Sequence, residues 1–278
     1  MLFTVMVILS LLAAAGACIG GNAGLHSLYI APLTMLGSFL GQLIIVFLFV
    51  WIAALCVDQK KPQEKDSRFY RTMVTLVAEL ALTVARVRIH TRGLEQMPKS
   101  GRFVLVCNHI HDFDPAILLR KFPKSQLAFI GKQEVRQMFL VGDLMHKFQC
   151  QFINRENDRE ALKTILTCIK IIQEDKASIA VFPEGYIKPD RKLHHFRSGV
   201  FKIATKTKVP IVVCTLTNTP QILKNLLRLK PTDVTLHLLK TIQPEEYADM
   251  TTVEIADMVY NMMAEDLGPE RVAQEETP

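Results

Sequence analysis

The first 57 residues of this chain contain no Lys, Arg, Asp or Glu, so all 33 basic and all 27 acidic side chains lie from Asp58 onward. An uncharged apolar stretch of this length excludes a wholly soluble protein and indicates a membrane segment followed by a soluble body. The charged remainder is long enough to bury a sizeable core, and its hydrophobic content argues against disorder.

Closely spaced cysteines are also missing. The six cysteines lie at positions 18, 56, 107, 150, 168 and 214, and no two have the spacing of a zinc or redox pair. We expect them to be reduced and mostly buried, which favours a body that faces the cytoplasm.

The charged residues are unevenly distributed and carry no recognised nucleic-acid-binding motif. Residues 58–102 hold ten basic and five acidic side chains, residues 188–240 hold eleven and two, and residues 245–278 hold one and ten. Basic segments beside a membrane anchor favour anionic lipid headgroups or phosphorylated substrates as partners, whereas nucleic acid is not expected.

Two apolar stretches, residues 2–19 and 33–57, predict a two-helix membrane anchor over residues 1–57. Gly37 and Gly41 have a spacing that would let two such helices approach closely. The alternative for the first stretch is a signal peptide, although it has no basic segment before it. Five cations follow between residues 60 and 71, so the positive-inside rule predicts an integral protein of the cell membrane whose body faces the cytoplasm.

Beyond the anchor, residues 58–88 are predicted to form a basic linker and an amphipathic helix. Apolar residues recur at helical spacing over residues 69–87, with Arg71, Glu79 and Arg86 between them. Such a helix lies on the membrane surface or packs on the body, and we favour the membrane surface.

Residues 89–278 alternate between short apolar runs and helical patterns, which predicts an α/β domain with a mostly parallel sheet flanked by helices. The predicted strands are 103–107, 127–130, 149–153, 178–182, 210–216 and 234–239, and the best predicted helices are 156–174, 199–207 and 245–266.

Chemically active side chains follow the ends of four predicted strands, where an open α/β sheet places its ligands. His109 and Asp114 follow the first, and a histidine within reach of a carboxylate is a typical general base. Lys132 and Arg155 close two further strands, and Glu184 precedes Gly185 at the fourth. Two cations, two carboxylates and a histidine suit a phosphorylated substrate that carries a hydroxyl group.

The order of these motifs resembles the glycerolipid acyltransferase family, and bacterial 1-acyl-sn-glycerol-3-phosphate acyltransferases in particular. The resemblance covers residues 90–216 and rests on Asn108-His109 with Asp114, on Lys132 to Glu134, on Phe152 to Arg155, on Phe182-Pro183-Glu184-Gly185, on Phe196-Arg197-Ser198-Gly199 and on Val209 to Val212.

The resemblance implies transfer of an acyl chain from an acyl thioester to the free sn-2 hydroxyl of lysophosphatidic acid, forming phosphatidic acid. The thioester would be acyl-CoA or acyl carrier protein, with no further cofactor and no metal. His109 would be the base oriented by Asp114, Lys132 and Arg155 would hold the phosphate, and Glu184 with Gly185 would shape the acceptor pocket. Another lysolipid or glycerol 3-phosphate is the alternative acceptor.

This chain departs from the family pattern at two places. Tyr186-Ile187 stand where the family has Thr-Arg, so Lys188 or Arg191 is the expected replacement cation. The second departure is the histidine at position 111. With this histidine, the four residues His109, His111, Asp112 and Asp114 can also be interpreted as the ligands of a metal-dependent hydrolase. A catalytically silent lipid-binding protein is the alternative outside enzymes.

Overall fold

The computed structural model describes residues 1–20, 24, 26–62 and 65–274, and it divides the chain into two compact units, residues 1–60 and 61–278. The helices are α1 (Leu2–Gly20), α2 (Ser27–Leu55), α3 (Arg68–Val84), α4 (Asp114–Lys121), α5 (Val141–Lys147), α6 (Asp158–Gln173), α7 (Lys202–Thr207), α8 (Gln221–Leu227) and α9 (Thr252–Leu267). The strands are β1 (Val87–Arg92), β2 (Val104–Cys107), β3 (Leu127–Lys132), β4 (Gln151–Ile153), β5 (Ser178–Val181), β6 (Ile211–Thr217) and β7 (Thr232–Ile242).

The first unit consists of α1 and α2, both long and apolar enough to cross a membrane by length and composition. The two helices contact each other through polar and aromatic side chains. Gln42 donates to the Ser10 hydroxyl at 2.9 Å, and the rings of Phe3 and Phe39 meet edge to face at 5.8 Å. The close approach predicted at Gly37 and Gly41 is not observed, because a Cβ added at either would meet no atom of the described chain within 4 Å.

The second unit is built on a seven-stranded sheet in the order β1-β7-β6-β2-β5-β3-β4. All pairings are parallel except β6 with β7, which is antiparallel. The central strands β2 and β5 are buried at every position, as expected for a parallel sheet covered on both faces by helices. The predicted class, a mostly parallel sheet flanked by helices, is therefore confirmed.

Two predicted helices are wrong at their ends. The amphipathic helix ends at Val84 instead of residue 87, because Arg86 has a left-handed φ of 55° that a helix cannot continue through, and Val87 instead begins β1. The helix predicted over 245–266 splits into a short 3-10 helix, Pro244–Tyr247, and α9. Thr251 and Glu254 form a reciprocal capping box that starts α9 as a separate helix.

The amphipathic helix α3 packs on the body of the second unit. Met73, Leu80 and Leu82 are buried, and the Arg71 guanidinium bonds both Asp66 carboxylate oxygens at 2.7 Å and the Leu127 carbonyl at 2.8 Å. Membrane contact by its outer face, like the predicted boundaries at residues 57 and 88, stays a prediction.

Candidate active site

The turn after β2 is held to the neighbouring strand by a buried amide. The Asn108 side chain donates to the Leu216 carbonyl at 2.9 Å and accepts from the Leu216 backbone N–H at 2.7 Å. Both bonds are inside the core, where polar groups need partners, so they fix where the chain leaves β2. His109 follows directly at the carboxyl edge of the sheet.

His109 and Asp114 are in direct contact. The His109 Nδ1 lies 2.9 Å from Oδ2 of Asp114, and the same oxygen accepts the backbone N–H groups of Ile110 and His111, each at 2.8 Å. Asp114 is fully buried and is the first residue of α4. A carboxylate oxygen accepts hydrogen bonds, so Nδ1 donates to Oδ2, and in the neutral imidazole the lone pair then lies on Nε2.

The His109 ring is packed against an aromatic wall. It stacks on Phe182 with ring centroids 4.2 Å apart, and its side chain is 18% exposed. Phe182 stacks in turn near Phe129 at 6.3 Å. The ring is therefore fixed in orientation but still open to a substrate.

Glu184 joins three segments of the site. One carboxylate oxygen accepts the His109 backbone N–H at 2.9 Å, and the other accepts the His194 backbone N–H at 3.0 Å. The side chain is buried, and this burial raises the pKa of Glu184 to about 7. These contacts position the backbone of His109, while the predicted part of Glu184 in shaping an acceptor pocket stays a prediction.

A cavity of about 510 Å³ opens beside Phe182. Its apolar lining comes mainly from the sheet and from α6. Its polar lining residues lie around the start of α6 and in the segment from residue 197 to residue 202. The lining residues are Ile130, Ile153, Arg155, Asp158, Ala161, Leu162, Ile165, Val181, Phe182, Pro183, Gly185, Arg197, Ser198, Gly199, Val200 and Lys202.

Two guanidinium groups meet over Gly185. Gly185 has a φ of +93°, and a Cβ at this position would lie 3.4 Å from Nε of Arg197 and 3.5 Å from Cζ of Arg155. Burial, and then the positive charge of Arg197, lower the pKa of Arg155. Neither guanidinium has a carboxylate within ion-pair distance among the residues that the structure places, so the pair suits an anionic ligand. Sequence reasoning did not assign Arg197 to the site, although it lies in the Phe196 to Gly199 segment that resembles the family.

Lys132 has a different environment from Arg155. Its side chain is 56% exposed, and its Nζ lies 2.8 Å from the Glu134 carboxylate. Lys132 does not line the cavity, so its predicted contact with a phosphate stays a prediction.

The cations expected to replace the family arginine also lie outside the cavity. Lys188 donates to the Tyr186 hydroxyl and lies over the Tyr186 ring. Arg191 donates to the Ile110 carbonyl at 2.6 Å. Arg191 therefore supports the His109 turn, whereas Arg197 lines the cavity together with Arg155 and Lys202.

The second histidine of the turn has its own partners. The His111 Nδ1 accepts the Phe113 backbone N–H at 3.3 Å, the two rings stack at 5.5 Å, and burial lowers the pKa of His111. Within the described part of the chain, no three His, Cys, Asp or Glu side chains are arranged as metal ligands. The metal-hydrolase hypothesis therefore finds no ligand set in this turn.

Residues 88–217 match the Acyltransferase family model. A probable 1-acyl-sn-glycerol-3-phosphate acyltransferase of Mycoplasma pneumoniae is 32% identical over 159 residues, which are 56% of this chain and 57% of that protein. The 1-acyl-sn-glycerol-3-phosphate acyltransferase of Borreliella burgdorferi is 27% identical over 179 residues, 63% of this chain and 71% of that protein. The match thus spans little more than half the length of the Mycoplasma relative.

The fold is similar to the crystal structure of the 1-acyl-sn-glycerophosphate (LPA) acyltransferase PlsC from Thermotoga maritima. The TM-score is 0.62 at 21% identity, over 86% of this chain and 94% of that one. The family match covers the strands β1 to β6, the His109 turn, and the Arg155, Gly185 and Arg197 cluster. Residues 88–217, a little under half of the chain, therefore resemble the acyltransferase family, and the chain is similar to 1-acyl-sn-glycerol-3-phosphate acyltransferases.

Proposed function

We propose that this protein is a membrane-bound O-acyltransferase of phospholipid biosynthesis. It would move an acyl chain from acyl-CoA or acyl carrier protein to the free sn-2 hydroxyl of lysophosphatidic acid, forming phosphatidic acid. The observation that carries the proposal is the 2.9 Å contact between His109 and a buried Asp114. This contact leaves Nε2 available as a base beyond the carboxyl end of β2.

In the proposed reaction, Nε2 of His109 takes the proton of the acceptor hydroxyl as that oxygen attacks the thioester carbonyl. Asp114 stabilises the imidazolium that forms. When the tetrahedral intermediate collapses, the carbon–sulfur bond breaks and the imidazolium returns the proton to the thiolate, which leaves as a free thiol. Positioned general-base catalysis of this kind contributes about 10² to 10⁴ in rate. The thioester is a co-substrate, and no cofactor or metal enters these steps.

The phosphate of the acceptor would bind between Arg155 and Arg197. Planar guanidinium groups bind phosphate oxygens in a bidentate manner, and two of them here lie beside Gly185 and line the same cavity. An arriving dianion would relieve the repulsion between the two cations. Lys132 would act at longer range, because its Nζ is paired with Glu134.

The bilayer supplies the lipid acceptor and takes up the product. We propose that residues 1–57 anchor the protein in the cell membrane and that the body faces the cytoplasm. The proposal is supported by two helices of sufficient length and apolar character, followed by the cations between residues 60 and 71.

The test is an acyl-transfer assay on the purified full chain in lipid nanodiscs. Labelled acyl-CoA and acyl carrier protein are offered with lysophosphatidic acid, glycerol 3-phosphate or other lysolipids, alongside His109→Ala and the matched control His111→Ala. We expect lysophosphatidic acid to be acylated by the wild type and by His111→Ala, and turnover to be lost in His109→Ala. Acylation of a different acceptor alone would correct the substrate, and full turnover by His109→Ala would refute the mechanism.

A further inference from the structure

The connection between β6 and β7, residues 218–231, lies at the same end of the sheet as the His109 turn. Strand β6 runs parallel to β2, so the carboxyl ends of both strands lie at this end of the sheet, and β7 begins there and runs in the opposite direction. His109 follows the end of β2, with β6 as the next strand on that side. Residues 218–231 and His109 therefore lie at the same end of the sheet.

This connection exposes large apolar side chains to an unusual degree. Leu223 is 48% exposed, Leu227 is 87% exposed and Leu229 is 76% exposed. Three exposed cations, Lys224, Arg228 and Lys230, alternate with them, and residues 218–232 contain no Asp or Glu. A surface that combines apolar groups with one sign of charge is typical of a binding face.

The backbone that presents these leucines is held in place. Ile222 is fully buried, and the Asn225 side chain donates to the Thr232 hydroxyl at 3.0 Å. The Asn225 carbonyl accepts two backbone N–H groups, from Arg228 at 3.0 Å and from Lys230 at 2.9 Å. Leu227 and Leu229 therefore project from an ordered turn.

We infer that residues 223–230, here called the leucine loop, dock on the surface of an anionic bilayer. Leu223, Leu227 and Leu229 would insert at the boundary between the lipid headgroups and the acyl chains. Lys224, Arg228 and Lys230 would contact the lipid phosphates. Protein interface cores are depleted of lysine, whereas long basic side chains beside leucines are favoured at a membrane interface. The composition of the loop thus selects a bilayer over a protein partner.

Docking at this position would turn the catalytic edge of the sheet toward the membrane. This inference concerns membrane contact and goes beyond the proposed acyl transfer, so it is tested by a spectroscopic measurement that needs no turnover.

The experiment uses the full chain in nanodiscs and a single tryptophan reporter. The one native tryptophan, Trp51 in α2, is replaced by Phe, and Leu227→Trp is introduced as the reporter. The matched control is Val253→Trp, at a position that is 55% exposed near the start of α9. This position follows the end of β7, which lies at the opposite end of the sheet from His109. Leu229→Trp is the second reporter if Leu227→Trp fails to fold, as judged by circular dichroism.

We expect brominated lipid chains to quench the emission of Leu227→Trp in anionic nanodiscs and to leave that of Val253→Trp unchanged. If bromolipids leave the emission of Leu227→Trp unchanged, the inference is overturned. A blue shift without quenching would then indicate contact with a protein instead. Equal quenching of both reporters would overturn it as well.

A charge test uses the same reporter. Replacing Lys224 and Lys230 with Glu should weaken docking by at least about fivefold for each lysine, since one basic residue near an anionic surface contributes about 1 kcal/mol and the new carboxylate is repelled as well. The matched control reverses Lys206 and Lys208, which precede β6 at the opposite edge and are also exposed. Equal loss of quenching in both sets would show a general charge effect and refute the assignment of the leucine loop.

Discussion

Replacing Asp114 with Asn should separate the charge of this residue from its structural part. Three N–H donors converge on Oδ2, whereas Oδ1 is buried and has no hydrogen-bond partner among the residues described. The amide oxygen of Asn must therefore take the place of Oδ2, because an NH₂ group there would face three donors. Nδ1 of His109 then keeps its acceptor, and the substitution removes the negative charge while it places an NH₂ group at the buried Oδ1 position, which has no hydrogen-bond partner among the residues described.

The expected loss of activity follows from that geometry. Two unit charges about 4 Å apart interact by about 4 kcal/mol at an effective dielectric constant near 20, which corresponds to about 10³ in rate. The difference between a charged and a neutral hydrogen bond alone is about 1 kcal/mol, or roughly fivefold. Asp114→Asn should therefore lower kcat between about 5-fold and 10³-fold, and its loss of stability should be limited to the cost of one unsatisfied buried group, about 1 to 3 kcal/mol.

Asp114→Ala is the structural control. It leaves three donors without an acceptor, and each unsatisfied buried group costs about 1 to 3 kcal/mol. This variant should melt at a distinctly lower temperature than Asp114→Asn. Initial rates of thioester consumption and thermal midpoints by circular dichroism check both variants. Asp114→Asn with wild-type kcat, or with the same loss of stability as Asp114→Ala, would refute the reasoning.

Three further predictions concern the remaining parts of the site and the anchor. Arg155→Ala and Arg197→Ala should each raise the KM for the acceptor far more than the KM for the thioester, since a lost charged hydrogen bond costs about 1.5 to 3 kcal/mol; a larger effect on the thioester KM would contradict the phosphate assignment. Because the pKa of Glu184 is raised in the folded state to about 7, the folded protein binds this proton more tightly, and its contribution to stability should be lost as the pH rises from about 4.5 through 7. The thermal midpoint should therefore fall over this range by more in the wild type than in Glu184→Gln, and equal slopes would contradict the raised pKa. Protease added outside intact cells should leave residues 58–278 undigested, and cleavage of the body from that side would reverse the proposed orientation.

The sheet could be predicted where burial is uniform on both faces. The apolar runs at β2, β5 and β6 could be assigned as strands because a strand covered on both faces contains few polar residues. The edge strand β1 could not, since only Val87 of its residues is buried and four of the six side chains are polar. Val84 and Val87 also continue the helical spacing of α3, so the helical pattern was extended three residues too far.

The contact between His109 and Asp114 could be predicted and the cation cluster only in part, because they depend on different ranges of the chain. His109 and Asp114 are joined by one turn, so their contact follows from local sequence. Arg155 follows β4, whereas Gly185 and Arg197 both lie in the connection after β5, and only the folded sheet brings Arg155 to the other two. The sequence pattern therefore predicted Arg155 by resemblance and did not assign Arg197.

The order of the strands also has a consequence for synthesis. Strand β1 pairs with β7, with Val87 opposite Thr232, so one edge of the sheet is formed by segments from the two ends of the body. A growing chain can form the pairings among β2, β3, β4 and β5 before β7 has left the ribosome, but β1 has no strand to join until then. The pairing of β1 with β7 joins residues that are far apart in the sequence, and such pairings form slowly. We therefore expect a chain that stops before residue 232 to leave β1 unpaired and open to aggregation.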